Sequence, residues 1–321
     1  MKYKLCICFI MYALALLAVI SIFKNLWEKY MNNQSHDYLT VICRIRDEHF
    51  LIKTFVPYYL SQGVDKIYLI ADRTTKPYPD EITKNKAVEV IDVDHEGSNK
   101  NEMENFNKLM TKIQKYTTWI INVDADEFIY TKENATIRTM LETEFSDFDC
   151  VCIPWVMFAF NGLQHDADDV INDYVYRWDH DTNPSTKLQK SINARRNVKS
   201  IFKAKSYKSS GCHQPELPIK KVSIASSLKG KSHCSVNKVL KETDIADAFL
   251  LCNHYRYTSI DNIERKCDTT TFSNHNLRVS SSSPTCVADS ITDDRPEILD
   301  ETLKLKWRLI QKENSLINVM Q

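Results

Sequence analysis

The sequence predicts an α/β domain built on a mainly parallel sheet flanked by helices. Short apolar runs alternate with helical patterns between residues 38 and 128. The runs are apolar throughout, as strands covered on both faces are. They also close on charge: Arg46/Asp47, Asp72, Asp94 and Asp124/Asp126 each follow an apolar run. Ligands of open α/β sheets bind at the carboxyl ends of strands, so the repeated placement is a functional signal.

Taken in order, Tyr38 to Ile45 is rich in strand formers. Phe50 to Leu60 reads as a helix, with Phe50, Ile52, Phe55, Val56 and Tyr59 on its apolar face, and Gly63 ends it. Lys66 to Ala71 is a second strand, followed by Asp72 and a loop from Thr74 to Pro79; Ala87 to Val93 is a third. Asn99 and Glu102 have the spacing of a capping box, and Met103, Phe106, Met110 and Ile113 form one stripe of the helix that follows. The fourth strand runs into "WIINVDADEF", Trp119 to Phe128. Past Asp149 the pattern changes. Cys150 to Phe160 is a strand and an aromatic-rich loop, 161–181 is polar and acidic, Ser280 to Pro284 is a loop, and Glu297 to Lys312 is a helix.

Bulk properties narrow the class. Leu5 to Phe23 is nineteen residues without a charge, flanked by Lys2, Lys4 and Lys24. At helical rise that run spans about 28 Å, close to a hydrocarbon core. A signal-anchor over 1–27, a stem over 28–37 and one domain over 38–321 are therefore expected, with a cleaved signal peptide as the alternative. This predicts a single-pass type II membrane protein with a lumenal domain, if the cell is eukaryotic. Lys plus Arg equals Asp plus Glu, at 42 each, so charge names no partner and nucleic acid is not expected. No glycine-rich phosphate loop is present. Eight of the ten cysteines lie beyond the anchor and none forms CxxC. Disulfides in an oxidising compartment and buried free thiols, Cys43 among them, both remain open. Asn33-Gln34-Ser35 and Asn134-Ala135-Thr136 are glycosylation sequons.

The acids carry the chemistry. Asp124 and Asp126, one residue apart at a strand end, can converge on a hard divalent cation, Mn²⁺ or Mg²⁺. The ion would cancel their repulsion and could hold a departing diphosphate.

Five segments extend this to a resemblance. "VICRIRDEHFLIKTFVPYYLSQGVDKIYLIADRTT", "NEMENFNKLMTKIQKYTTWIINVDADEF", "IPWVMFAFNG", "KSIFKAKSYKSSGCH" and "NHYRYTSIDNIERKC" resemble, in order, segments of the family 92 and family 2-like glycosyltransferases. The resemblance covers most of residues 39–267. It implies a GT-A fold, a nucleotide-sugar donor that by family weight is UDP-linked, with galactose as the sugar, a glycan or glycoconjugate acceptor, and generally inverting transfer. It places Asp124 and Asp126 on the metal, with His254 or His213 as a further ligand and Glu127 as a brace. Arg44, Asp47, Glu48 and Asp72 would serve the nucleoside, and Lys199, Lys203, Arg256 and Ser259 the diphosphate. For the general base an inverting transfer needs, Asp166, Asp168, Asp169 and Glu216 are candidates, with Glu216 and Asp166 put forward. Trp155 and Phe158 could stack on a sugar or belong to the core. Ala159-Phe160-Asn161-Gly162 stands where a Phe-Gly pair is usual, and Asp72-Arg73-Thr74 departs from the usual Asp-Asn-x-Ser. Two other classes fit less of the chain. A DxD phosphatase would need Asp293-Asp294 as its second acidic pair, and an inactive sugar- or partner-binding relative would be expected to lack the acids.

Overall fold

Strands buried on both faces set the architecture. In β1 (Asp37–Ile45), Leu39, Val41, Cys43 and Ile45 join one buried cluster and Ile42 joins another, so the strand is covered on both faces. The computed structural model describes residues 36–93, 99–160, 162–181, 198–210, 215–218, 222–229, 240–267 and 298–320. Helix α1 (His49–Ser61) covers the first face with Leu51, Phe55, Tyr58 and Tyr59. Strand β2 (Lys66–Asp72), the short α2 (Asp80–Thr83) and β3 (Val88–Val93) follow. Helix α3 (Asn99–Ile113) lays Phe106, Leu109, Met110 and Ile113 on the opposite face, against Ile42, Ile70 and Ile120. The Asn99–Glu102 cap, Met103 and Asp94 lie outside the described side chains.

The chain continues through β4 (Thr117–Asp124), β5 (Glu127–Thr131), α4 (Ile137–Glu142), β6 (Cys150–Met157), α5 (Val170–Asp173) and β7 (Tyr176–Arg177). Then come β8 (Val198–Lys203), β9 (Ser209–Ser210), β10 (Pro215–Glu216), β11 (Ile224–Ser226), α6 (Glu242–Asp247), β12 (Leu250–His254), α7 (Ile260–Cys267), β13 (Ile298–Leu299) and α8 (Thr302–Met320). The main sheet has the order β3-β2-β1-β4-β8-β6-β12-β5, with β11 also on β6. β1, β2 and β3 are parallel. Thr40 meets Thr117 at 2.8 Å at one end of β1 and β4, and Arg44 acts on Asp124 at the other, so these two strands also run together.

Beyond β4 the expected mainly parallel sheet gives way to a mixed one. β4–β8, β8–β6 and β12–β5 are antiparallel, while β6–β12 and β6–β11 are parallel. The sheet must also curl. From β4 to β5 is four strand steps, about 19 Å across a flat sheet. Yet only Ala125 and Asp126 separate the two strands, and three residue steps reach about 11 Å at most. The far half of the sheet therefore folds back over the tip of β4. The turn that forces this is the acidic one.

Gly63 closes α1 in the left-handed region, at φ +83°, and a Cβ there would lie 2.7 Å from Arg138 Cβ. Gly63→Ala is expected to cost about 1–3 kcal/mol, read as a lowered urea midpoint with an unchanged slope. Arg177 donates to both Glu242 oxygens at 2.8 and 2.7 Å and to Asp300 at 2.8 Å. This buried fork ties β7 to α6 and β13. The expected C-terminal helix begins at Thr302 rather than at Glu297, after β13 and an Asp300 side chain that accepts from Thr302 N.

Among the described residues no helix is long and apolar enough to cross a membrane. The expected anchor lies outside them, as do His213, Asn161, Asp293-Asp294 and the loop at 280–284. Cys43, Cys150 and Cys252 are buried free thiols, whereas Cys152 is disulfide-bonded.

Candidate active site

The curl brings three strand ends together. His254 ends β12 and pairs in register with Glu127, the first residue of β5. The ladder extends one step further, with Tyr255 N donating to the Asp126 carbonyl at 2.8 Å. Asp126, Glu127 and His254 are all buried, and their ligand atoms lie within 4.8 Å of one another. His254 Nε2 stands 3.5 Å from Asp126 Oδ1. The imidazole packs on Trp155 of β6, ring centroids 4.3 Å apart.

One cation sits among these acids. Lys199, in β8, is 2.8 Å from Asp124 Oδ2 and 2.9 Å from Glu127 Oε2, with a side chain only 3% exposed. Glu127 Oε2 also accepts from Asp124 N at 2.8 Å. From below, the Tyr59 hydroxyl donates to the Glu127 carbonyl at 2.9 Å. Glu127 is thus fixed at its backbone and at one carboxylate oxygen. Its other oxygen, Oε1, is buried with no hydrogen-bond partner among the described residues, and so is His254 Nδ1.

The electrostatics follow from burial and neighbours. Burial opposes the Lys199 charge, but Asp124 and Glu127 outweigh it and hold its pKa above the ordinary lysine value. Desolvation at the strand tip opposes the charge of Asp124, yet Lys199 and then Arg44 bring its carboxyl below the usual range. Burial pushes the Glu127 carboxyl well up, Lys199 counters it, and Asp124 and Asp126 push it further. Burial lowers His254, against the pull of Asp126, and leaves a neutral imidazole at pH 7. Three carboxylates face the Lys199 ammonium, with the Arg44 guanidinium acting on Asp124, so negative charge still exceeds positive and a bound proton or cation would relieve it.

The structure gathers Asp126 and His254 from the expected metal set and adds Glu127, which the sequence suggested only as a brace. Asp124 is about half exposed and turned to Lys199. Lys199 itself is engaged with the acids and is not held out for a diphosphate. Arg44 belongs to this neighbourhood through its action on Asp124. Asp72 ends β2 and pairs with Arg73 at 3.1 Å. Asp47, just past β1, accepts from Thr75 N at 2.7 Å, and Glu48 from Arg46 N at 3.4 Å. Asp47 and Arg73 both hold left-handed backbone, at φ 54° and 47°, a conformation that costs non-glycine residues free energy and clusters at functional sites. Past β12, the Arg256 guanidinium lies over the Tyr257 ring, and Ser259 donates to Asp166 Oδ1 at 2.6 Å alongside Thr258 at 3.0 Å.

Other expectations need correction. β8 is antiparallel to β4, so Lys203 faces Trp119 at the opposite end from Asp124; its amine donates to the Ser146 carbonyl. Glu216 follows on the exposed β9–β10 hairpin, where it pairs with Ser209 and Lys208. Neither is brought to the acids. Asp169 caps α5 and accepts from Trp307 Nε1, which occupies its oxygens structurally, and Asp168 is exposed. Trp155 and Phe158 are core residues, 4% and 3% exposed, and offer no open face to a sugar. β8 is buried on both faces, Lys199 and Ile201 on one and Val198 and Phe202 on the other, so strand parity alone does not separate Lys199 from Lys203.

Residues 42–285 match the model of glycosyltransferase family 92. No curated protein matches the chain in sequence. Solved structures that match include S. aureus TarS, at 12% identity and TM-score 0.32, over 52% of this chain and 28% of that one. HddC from Yersinia pseudotuberculosis matches at 12% identity and TM-score 0.31, over 65% of this chain and 97% of its own. The 4-diphosphocytidyl-2C-methyl-D-erythritolsynthase of Anaerococcus prevotii matches at 13% identity and TM-score 0.28, over 66% and 96%. Likenesses this distant carry no argument about the chemistry.

Proposed function

The chain belongs to glycosyltransferase family 92, and from that premise we propose that it is a metal-dependent hexosyltransferase of GT-A type. It moves a sugar, galactose from UDP-galactose in this reading, to a glycan or glycoconjugate acceptor with inversion. The observation that supports this most is the buried trio of Asp126, Glu127 and His254, in which Glu127 Oε1 and His254 Nδ1 have no hydrogen-bond partner among the described residues. Two carboxylates and a neutral imidazole suit Mn²⁺ or Mg²⁺, and the imidazole favours Mn²⁺.

Asp126, Glu127 and His254 would hold the cation. Bound there, it would neutralise charge developing on the departing nucleoside diphosphate. Arg44, Glu48 and Asp72 line the tips of the parallel strands, where a nucleoside would lie. Arg256, just past His254, meets the diphosphate. Asp166, held by the Thr258 and Ser259 hydroxyls, takes the proton of the acceptor hydroxyl. The type II, lumenal placement belongs to the same proposal. The uncharged run at Leu5–Phe23 and the disulfide at Cys152 support it, since disulfides persist in oxidising compartments.

A panel of nucleotide sugars with Mn²⁺, scored by released nucleotide, tests the reading. Release from one donor, accelerated by acceptor and abolished by EDTA, is expected. Phosphate release from a generic phosphoester would point to a phosphatase instead. Glycan binding without nucleotide binding would point to an inactive relative.

A further inference from the structure

Lys199 occupies an unusual position. Its ammonium bridges Asp124 Oδ2 and Glu127 Oε2, the side chains at the two ends of the β4–β5 turn. The turn is closed a second time from Asp124 N to Glu127 Oε2. With both ends pinned, Asp126 is the acid of the turn left to face His254. Lys199 comes from β8, which lies beside β4, and pairs with Ile153 in β6. It therefore joins the near half of the sheet to the half that curls back, at the place where the cation trio forms. We propose that Lys199 is a positioning residue: a built-in counter-cation that withdraws Asp124 from the metal and fixes Asp126, Glu127 and His254 around a divalent ion.

This rests on the metal-dependent reading above and adds two consequences to it. A fixed positive charge a few ångströms from the trio weakens the site's attraction for any cation, because Coulomb energy at that range is large in a buried setting. The same charge holds the geometry that turnover needs. Removing it should therefore tighten metal binding while slowing transfer. A lysine that served only to hold the fold would lose both together on removal.

The test uses the full chain and Mn²⁺ alone, with binding followed by loss of the free-ion electron paramagnetic resonance signal. Nucleotide release from the active donor is measured in parallel. Lys199→Met is expected to bind Mn²⁺ at least about tenfold more tightly and to release nucleotide at least about tenfold more slowly. Lys199→Arg keeps the charge and should stay within about threefold of wild type in Mn²⁺ affinity. Unchanged or weaker Mn²⁺ binding by Lys199→Met overturns the inference. Should Lys199→Met fail to fold, Asp124→Asn decides. If Asp124 is spent on Lys199, its loss costs less than about tenfold in Mn²⁺ affinity, against at least about a hundredfold for Asp126→Asn. Equal losses overturn the inference. A wild-type chain that leaves the Mn²⁺ signal untouched overturns the metal reading itself, which is a separate failure.

Discussion

Asp126→Ala is expected to lower Mn²⁺-dependent nucleotide release about a thousandfold, the rate equivalent of losing several kcal/mol of charge stabilisation. The chain should nevertheless stay folded. Asp126 lies in a cluster with surplus negative charge, where the His254 imidazole stands 3.5 Å from it. Without metal, removing one of three neighbouring carboxylates relieves repulsion, so the melting temperature should hold or rise. With metal the order reverses. Mn²⁺ stabilises wild type in proportion to the logarithm of its concentration over the dissociation constant, and that increment disappears in the variant. Melting curves with and without Mn²⁺, beside the release assay, separate a lost cation site from a lost fold.

Glu127→Ala is expected to behave in the opposite way. Its side chain is fully buried, and it satisfies Lys199 and Asp124 N through a single oxygen. Removing one partner of a buried ion pair costs about 3–5 kcal/mol, because the remaining charge stays buried and poorly compensated. For a domain of this size that corresponds to a fall in melting temperature on the order of 10 °C. Glu127→Gln keeps the volume and an acceptor for Asp124 N but drops the charge. It should recover most of the stability and still bind Mn²⁺ poorly. If alanine and glutamine melt alike, Glu127 is not the brace described here. If glutamine binds Mn²⁺ as wild type does, Glu127 is not a ligand.

Much of the near half of the fold was legible in the residues. Apolar runs closing on charge gave β1, β2, β3 and β4, and the stripe through Phe106, Met110 and Ile113 gave α3, because these patterns are local. The curl was not legible. It depends on Glu127 opening a strand that pairs with Leu250–His254, more than a hundred residues away, and no local pattern encodes that register. The same non-locality explains the site. Asp126 could be read from its spacing to Asp124, and His254 from a resemblance. That Glu127 faces His254 and that Lys199 reaches both ends of the turn follow only from strand order. Lys203 and Glu216 were misplaced for the related reason that the direction of β8 decides which end of a basic strand meets the acids, and composition is blind to direction.

The central claim is that the acidic turn and His254 form a cation site serving a nucleotide. Calorimetric titration of the full chain with UDP, once with Mn²⁺ and once with EDTA, tests it most directly. Saturable UDP binding with Mn²⁺ that falls at least about tenfold in EDTA is expected, as charge neutralisation at the diphosphate requires. UDP binding of equal strength in both titrations, or in neither, would contradict it.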